Sequence, residues 1–165
     1  MRKIVIGVMG PGSGASDTDL HNAHELGKLI ATEQWVLLTG GRNIGVMNAA
    51  SCGAKASQGL VVGILPTEDD RGISGAVDIA IITGMGSARN NINVLSSDVV
   101  IACGIGSGTA SEIALALNAG KDVILLSENQ ESQVFFKGLS ENHCWIAKTP
   151  QEAIALVKKL LAKGS

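Results

Sequence analysis

The strongest constraint on the fold is a set of short apolar runs that recur between longer amphipathic stretches. "KIVIGVM" (3–9), "WVLLT" (35–39), "LVVGIL" (60–65), "VDIAIIT" (77–83), "DVVIAC" (98–103) and "DVILLS" (122–127) are rich in Val and Ile and apolar on both faces. Strands of that kind must be covered from both sides, as in a parallel sheet between two helix layers. Helical periodicity fills most of the gaps, at about 17–33, 44–58, 87–97 and 109–119. "PTEDDRGISGA", after the third run, reads as a loop, and "CWIA" adds a short strand. The last helix opens on "TPQE", with Thr149 as N-cap, Pro150 in the first turn and Glu152 completing a capping box. It ends on "KKLLAKGS", basic as a helix C-terminus prefers. Strand–helix alternation predicts an α/β fold: a doubly wound, mainly parallel, Rossmann-like sheet flanked by helices on both faces. At 165 residues, without linker or repeat, the chain reads as one domain over 1–165.

Glycine clusters follow four of the strands: "GPGSGAS" the first, "GGRNIG" the second, "GMGSARN" the fourth and "GIGSGT" the fifth. In a parallel sheet all four leave from the carboxyl edge, where open α/β sheets bind ligands. The candidate binding residues are therefore Gly10, Gly12 and Ser13; Gly40, Gly41, Arg42 and Asn43; Gly84, Ser87, Arg89, Asn90 and Asn93; and Gly104, Gly106, Ser107, Gly108, Thr109 and Glu112.

Composition narrows the ligand. Net charge is −2, which gives no electrostatic footprint for nucleic acid, and no Tyr, two Phe and two Trp make no base-stacking platform. Cys52, Cys103 and Cys144 are far apart, with no metal-ligand spacing, and their sparse, odd count fits a reducing compartment. "MRKIVIGVMGPG" has a basic start and a short apolar stretch, but the glycines break the signal-peptide pattern, so it reads as the first strand. No apolar run approaches the roughly 20 residues that span a bilayer. A cytoplasmic protein, in contact with neither membrane nor nucleic acid, is the expectation.

"GPGSGA" satisfies the dinucleotide pattern G-x-G-x-x-A, but "LLTGGR" ends the second strand without the acid that would accept ribose hydroxyls. No P-loop frame is present. "GIGSGTASE" (104–112) makes a better phosphate site, since glycines let backbone N–H groups approach closely and a helix start near Thr109 adds its positive end. Thr109 and Glu112 also fit a T-x-x-E capping box, so Glu112 reads as a helix cap or as a catalyst, with the cap favoured. Arg89 sits in the first turn of its helix, where a cation opposes the macrodipole, and Asn93 lies four residues on, on the same face. Arg42 also precedes a helix start. Either an anion joins the two arginines or they are solvated or intersubunit side chains. Cys103 is a conceivable ligand and, more simply, a buried apolar residue. His21, His24 and His143 fall away from this edge.

"GGRNIGVM", "GSARNNIN" and "GSGTASE", in this order, resemble the LOG-type proteins, often mislabelled lysine decarboxylases. The hydrolases of that group carry G-G-G-x-x-G-L-M, an Arg-Lys pair and P-G-G-x-G-T-x-x-E, and cleave the N-glycosidic bond of nucleoside 5′-monophosphates. By motif their catalytic pair falls on Arg89 and Glu112. This chain departs from those words at Arg42, Asn90 and Gly104-Ile105-Gly106. "IGVMGPG", "LLTGGR", "GVM", "GSARNNIN" and "GTASEIALAL" are more similar to the molybdenum cofactor carrier proteins of green algae and cyanobacteria, end to end. That resemblance implies a homotetramer that binds and protects molybdenum cofactor (molybdopterin with its metal) as cargo, without catalysis, with molybdoenzymes as acceptors. It implies a phosphate cradle at Gly106–Thr109, charge balance from Arg42 and Arg89, and pterin contacts from Asn43, Asn90 and Asn93. No protein ligand to the metal is expected.

Overall fold

The computed structural model describes residues 2–163. The chain forms β1 (Val5–Met9), α1 (Asp17–Thr32), β2 (Val36–Thr39), α2 (Gly45–Ala56), β3 (Leu60–Leu65), β4 (Ile79–Ile82), a 3-10 turn (Gly86–Ala88), α3 (Arg89–Leu95), β5 (Val99–Cys103), α4 (Ser107–Asn118), β6 (Val123–Leu126), α5 (Gln130–Leu139), β7 (Cys144–Ile146) and α6 (Pro150–Lys163). All seven strands pair in parallel, in the order β4-β3-β2-β1-β5-β6-β7. This is the Rossmann-like α/β arrangement that the alternating pattern predicts.

The strand pleat sends alternate residues to two separate cores. Ile6 and Val8 of β1 and Val99, Ile101 and Cys103 of β5 join the cluster under α1, α2 and α6. Val100 and Ala102 of β5, with Met9, face the cluster under α3 and α4. Every residue of β5 is buried, which explains its uninterrupted apolar run.

Two expectations are corrected, and one helix appears that the sequence did not announce. β4 is not covered on both faces: Ile79 is 48% exposed and Ile82 49%. It is an edge strand reached through a loop, so no crossover helix packs over it. The polar segment "QESQVFFKGL" is a helix, α5, started by Asn129, whose Oδ1 accepts from Ser132 N at 2.8 Å. Of its residues only Phe136 is buried, too little apolar repeat to mark it in the sequence. At α6, Thr149 Oγ1 accepts from Glu152 N at 3.1 Å, but the Glu152 carboxylate takes the N–H of Lys148 at 2.8 Å rather than closing the box on Thr149. Met1 of the first apolar stretch and Gly164 and Ser165 of the basic end lie outside the described residues.

Candidate functional site

The chain winds outward from β1 through β2 and β3 to β4, then returns to β5 beside β1. The loops after β1 and β5 therefore diverge, and a crevice opens between them at the carboxyl edge. A cleft of about 530 Å³ occupies it, within the usual range for small-molecule sites of about 300–1,000 Å³.

Most of the expected residues line this cleft. The β1 loop brings Gly10, Gly12 and Ser13, the β2 loop Gly40 and Arg42, and α3 Arg89 and Asn90. Gly106, Ser107, Gly108, Thr109 and Glu112 close the far side. Gly41, Asn43, Gly84, Ser87, Asn93 and Gly104 are not among the lining residues. Gly41 and Asn43 instead hold the β3–β4 loop: Ser74 N donates to Gly41 O and Asn43 N to Gly72 O, both at 2.8 Å, beside an antiparallel bridge between Arg42 and Ile73. Asn93 lies behind the cleft, fully buried. Of the three asparagines only Asn90 borders the cavity, and its Nδ2 donates to Ser111 Oγ at 2.9 Å, leaving its carbonyl oxygen.

Sequence reasoning missed Val8, Met9, Pro11, Gly14, Ile44 and Met47 as lining residues. Pro11 fixes the wall directly, since its carbonyl accepts from Val46 N at 3.0 Å and ties the β1 loop to the start of α2. Its place between two singled-out glycines was a usable signal. Met47 and Ile44 gave none, because an apolar residue at a helix start looks like core.

Two glycines are required by close approach. A side chain on Gly10 would strike the Cys103 carbonyl and Val46. One on Gly40 would run into the Arg89 guanidinium and Met47. Gly40 thus makes the space in which Arg89 lies.

The helix starts around the cleft differ from the one beside it. α1 is self-capped: Ser16 Oγ accepts from Asp19 N and Asp19 Oδ2 accepts from Ser16 N, at 3.1 and 3.0 Å. α4 has no side-chain cap and no acid in its first turn, whereas α3 runs on from the 3-10 turn, whose carbonyls take the Arg89 N–H, and at α2 the Val46 N–H goes to Pro11 O. First-turn N–H groups have no intrahelical partner, and Gly106 brings no side chain to satisfy those of α4. An anion suits such a place.

The helix starts at Ser107, two residues before the expected position, and this removes the capping-box reading of Glu112. Thr109 is inside the first turn rather than at the cap, only 2% exposed, and its Oγ1 has no hydrogen-bond partner. Glu112 is 6% exposed and accepts from Asn93 Nδ2 at 2.9 Å through Oε1. Burial pushes its carboxyl above the ordinary range, and the Asn93 hydrogen bond and the Arg89 charge oppose that without reversing it. Arg89 is 8% exposed, so it is not a solvated surface arginine, and its Nε lacks a partner. Burial lowers its pKa; Glu112 opposes the shift and the like charge of Arg42 adds to it. Arg42 itself is exposed.

Cys103 Sγ donates to Asp19 O at 3.4 Å, and burial together with Asp19 pushes its thiol up to about 12. It is a neutral core residue and does not line the cleft. His143 pairs with Asp122 at the opposite edge of the sheet.

A parallel sheet with an anion-ready cleft at its switch point defines a Rossmann-like ligand-binding protein. More narrowly, the model of the SLOG cluster4 family matches residues 3–154, and the chain belongs to that family. It is similar to the molybdenum cofactor binding protein from the phototrophic bacterium Rippkaea orientalis, at 62% identity and TM-score 0.96 over 98% of this chain and 99% of that one. It is also similar to the molybdenum cofactor carrier protein of Chlamydomonas reinhardtii, at 52% identity and TM-score 0.93 over 98% and 99% of the two chains. A protein of Archaeoglobus fulgidus is 43% identical over 154 residues, 93% of this chain and 94% of its own. The resemblance read from the glycine and arginine words is thereby upheld. Among the described residues, no helix is long and apolar enough to cross a membrane.

Proposed function

We propose that this protein binds molybdenum cofactor and carries it as cargo, protecting it without transforming it. The observation that carries the reading is the likeness, along 98% of the chain, to a molybdenum cofactor binding protein. The cleft suits such a cargo. The cofactor's terminal phosphate would sit on the open start of α4, at Gly106–Thr109, with Arg42 and Arg89 balancing charge. The buried, unpartnered Arg89 Nε and Thr109 Oγ1 are donors in want of acceptors beside it. Asn90 would meet the pterin edge. The one domain would act in the cytoplasm, hand its cargo to molybdoenzymes and assemble as a homotetramer, for which the exposed apolar face of β4 offers a contact. Anaerobic incubation with the cofactor followed by gel filtration tests this. Co-elution and slowed oxidation of the cofactor are expected; neither one appearing overturns the reading.

A second reading rests on Arg89 and Glu112 lining the same cleft. It is a phosphoribohydrolase in which Arg89 holds the substrate and Glu112 stabilises an oxocarbenium-like transition state or activates water. Sustained release of adenine from AMP, abolished in Glu112→Gln, would favour the enzyme over the carrier.

A further inference from the structure

Glu112 is a paradox in an anion site. The charged residues lining the cleft are Arg42, Arg89 and Glu112, and a carboxylate there opposes the ligand that everything else attracts. Two like charges a few ångströms apart beside largely buried side chains cannot both stay ionised at low cost. We infer that Glu112 meets the cargo's phosphate as a neutral carboxylic acid, donating a hydrogen bond from the oxygen that Asn93 does not hold, so that loading the cleft takes up a proton. This deepens the carrier reading and rests on it.

The geometry supports the assignment. Asn93 Nδ2 engages Oε1, which fixes the carboxyl plane from behind. Oε2 has no partner among the described residues, and Glu112 borders the cavity. The groups that touch Glu112 or share its cleft are few. α3 contributes Arg89 and the neutral Asn93, the β2 loop contributes Arg42, and the β1 loop contributes Pro11, glycines and Ser13. No His, Lys or Cys lines the cleft to take the proton instead. In the free protein the Arg89 charge works against burial, and a bound phosphate dianion that engages the guanidinium removes that opposition. The proton comes from solvent and returns to it on release. An acid kept neutral by its surroundings then serves as a donor, as buried carboxyls can.

Infrared difference spectra of the protein loaded with molybdenum cofactor, wild type against Glu112→Gln, test this. A carboxylic-acid carbonyl band present in the loaded wild type and missing from the variant is expected. Cofactor affinity should also weaken by up to about tenfold per pH unit once pH exceeds the titration of free Glu112, and this slope should vanish in the variant. Carboxylate bands from Glu112 in the loaded wild type overturn the inference and leave the carrier reading standing. If the wild type takes up no cofactor, both fall.

Discussion

Replacing Thr109 by Val should make the free protein more stable and the loaded protein weaker. The two residues are nearly isosteric and β-branched, so neither packing volume nor helix preference changes much. What is lost is a hydroxyl that is 2% exposed and unpartnered. Leaving such a group buried without a partner costs about 1–3 kcal/mol, and Val removes that penalty. For a chain of this size each kcal/mol moves the melting temperature by about 2–4 °C, so a rise of several degrees is expected in scanning calorimetry. The same hydroxyl faces the proposed phosphate. A hydrogen bond to a charged acceptor contributes about 1.5–3 kcal/mol, so cofactor affinity should fall about 10- to 150-fold in titration calorimetry. The opposite signs are the test. A variant that melts lower, or binds as tightly as the wild type, would mean that the hydroxyl serves the fold and not the ligand.

Other perturbations probe neighbouring residues. Arg89→Ala should weaken cofactor binding by about 1.5–3 kcal/mol, the loss of a charge-assisted bond, and unchanged affinity in the same titration would remove Arg89 from the site. Gly40→Ala should displace the Arg89 guanidinium and weaken binding while leaving the far-ultraviolet circular dichroism spectrum intact; full affinity would show that the guanidinium position is immaterial. Just before β5, burial tends to raise the Asp98 carboxyl, but Arg2, the Val5 N–H and Lys121 outweigh it and hold it below its ordinary value. Its folded pKa lies below its unfolded one of about 3.9, so its contribution is present above that pH and is lost as pH falls through the lower folded value. Acid unfolding of Asp98→Asn should therefore be less steep in that window, and identical acid limbs for variant and wild type would refute the assignment.

Much of the scaffold was legible because its signals are local. The buried strand β5 announces itself in "VVIAC", and the helical pattern at about 17–33 meets α1, Asp17–Thr32, within a residue. The glycine words marked the carboxyl edge, since a parallel sheet sends every strand-to-helix loop that way. The failures are equally physical. "IAII" has the composition of a buried strand, yet β4 is exposed, because coverage depends on where the chain goes next. α5 carries too little apolar repeat to declare itself, and one cap starts it. Asn43 and Gly41 stood beside Arg42 in the sequence, but the β3–β4 loop claims their backbone groups and leaves Arg42 to the cleft.

Glu112 divides the two kinds of knowledge most clearly. The sequence alone determined that an acid follows a glycine-rich helix start, that two arginines open or precede neighbouring helices, and that all of them belong to one sheet edge. A spacing of three residues was enough to suggest a cap. Only the tertiary structure decided that α4 begins at Ser107, that Thr109 turns inward unpartnered and that Asn93 from another helix holds the carboxyl. The physical reason is range. Periodicity and capping are set by neighbours along the chain, whereas the charge state of a carboxyl is set by burial and by groups from other elements, and these meet only when the sheet has closed around its switch point.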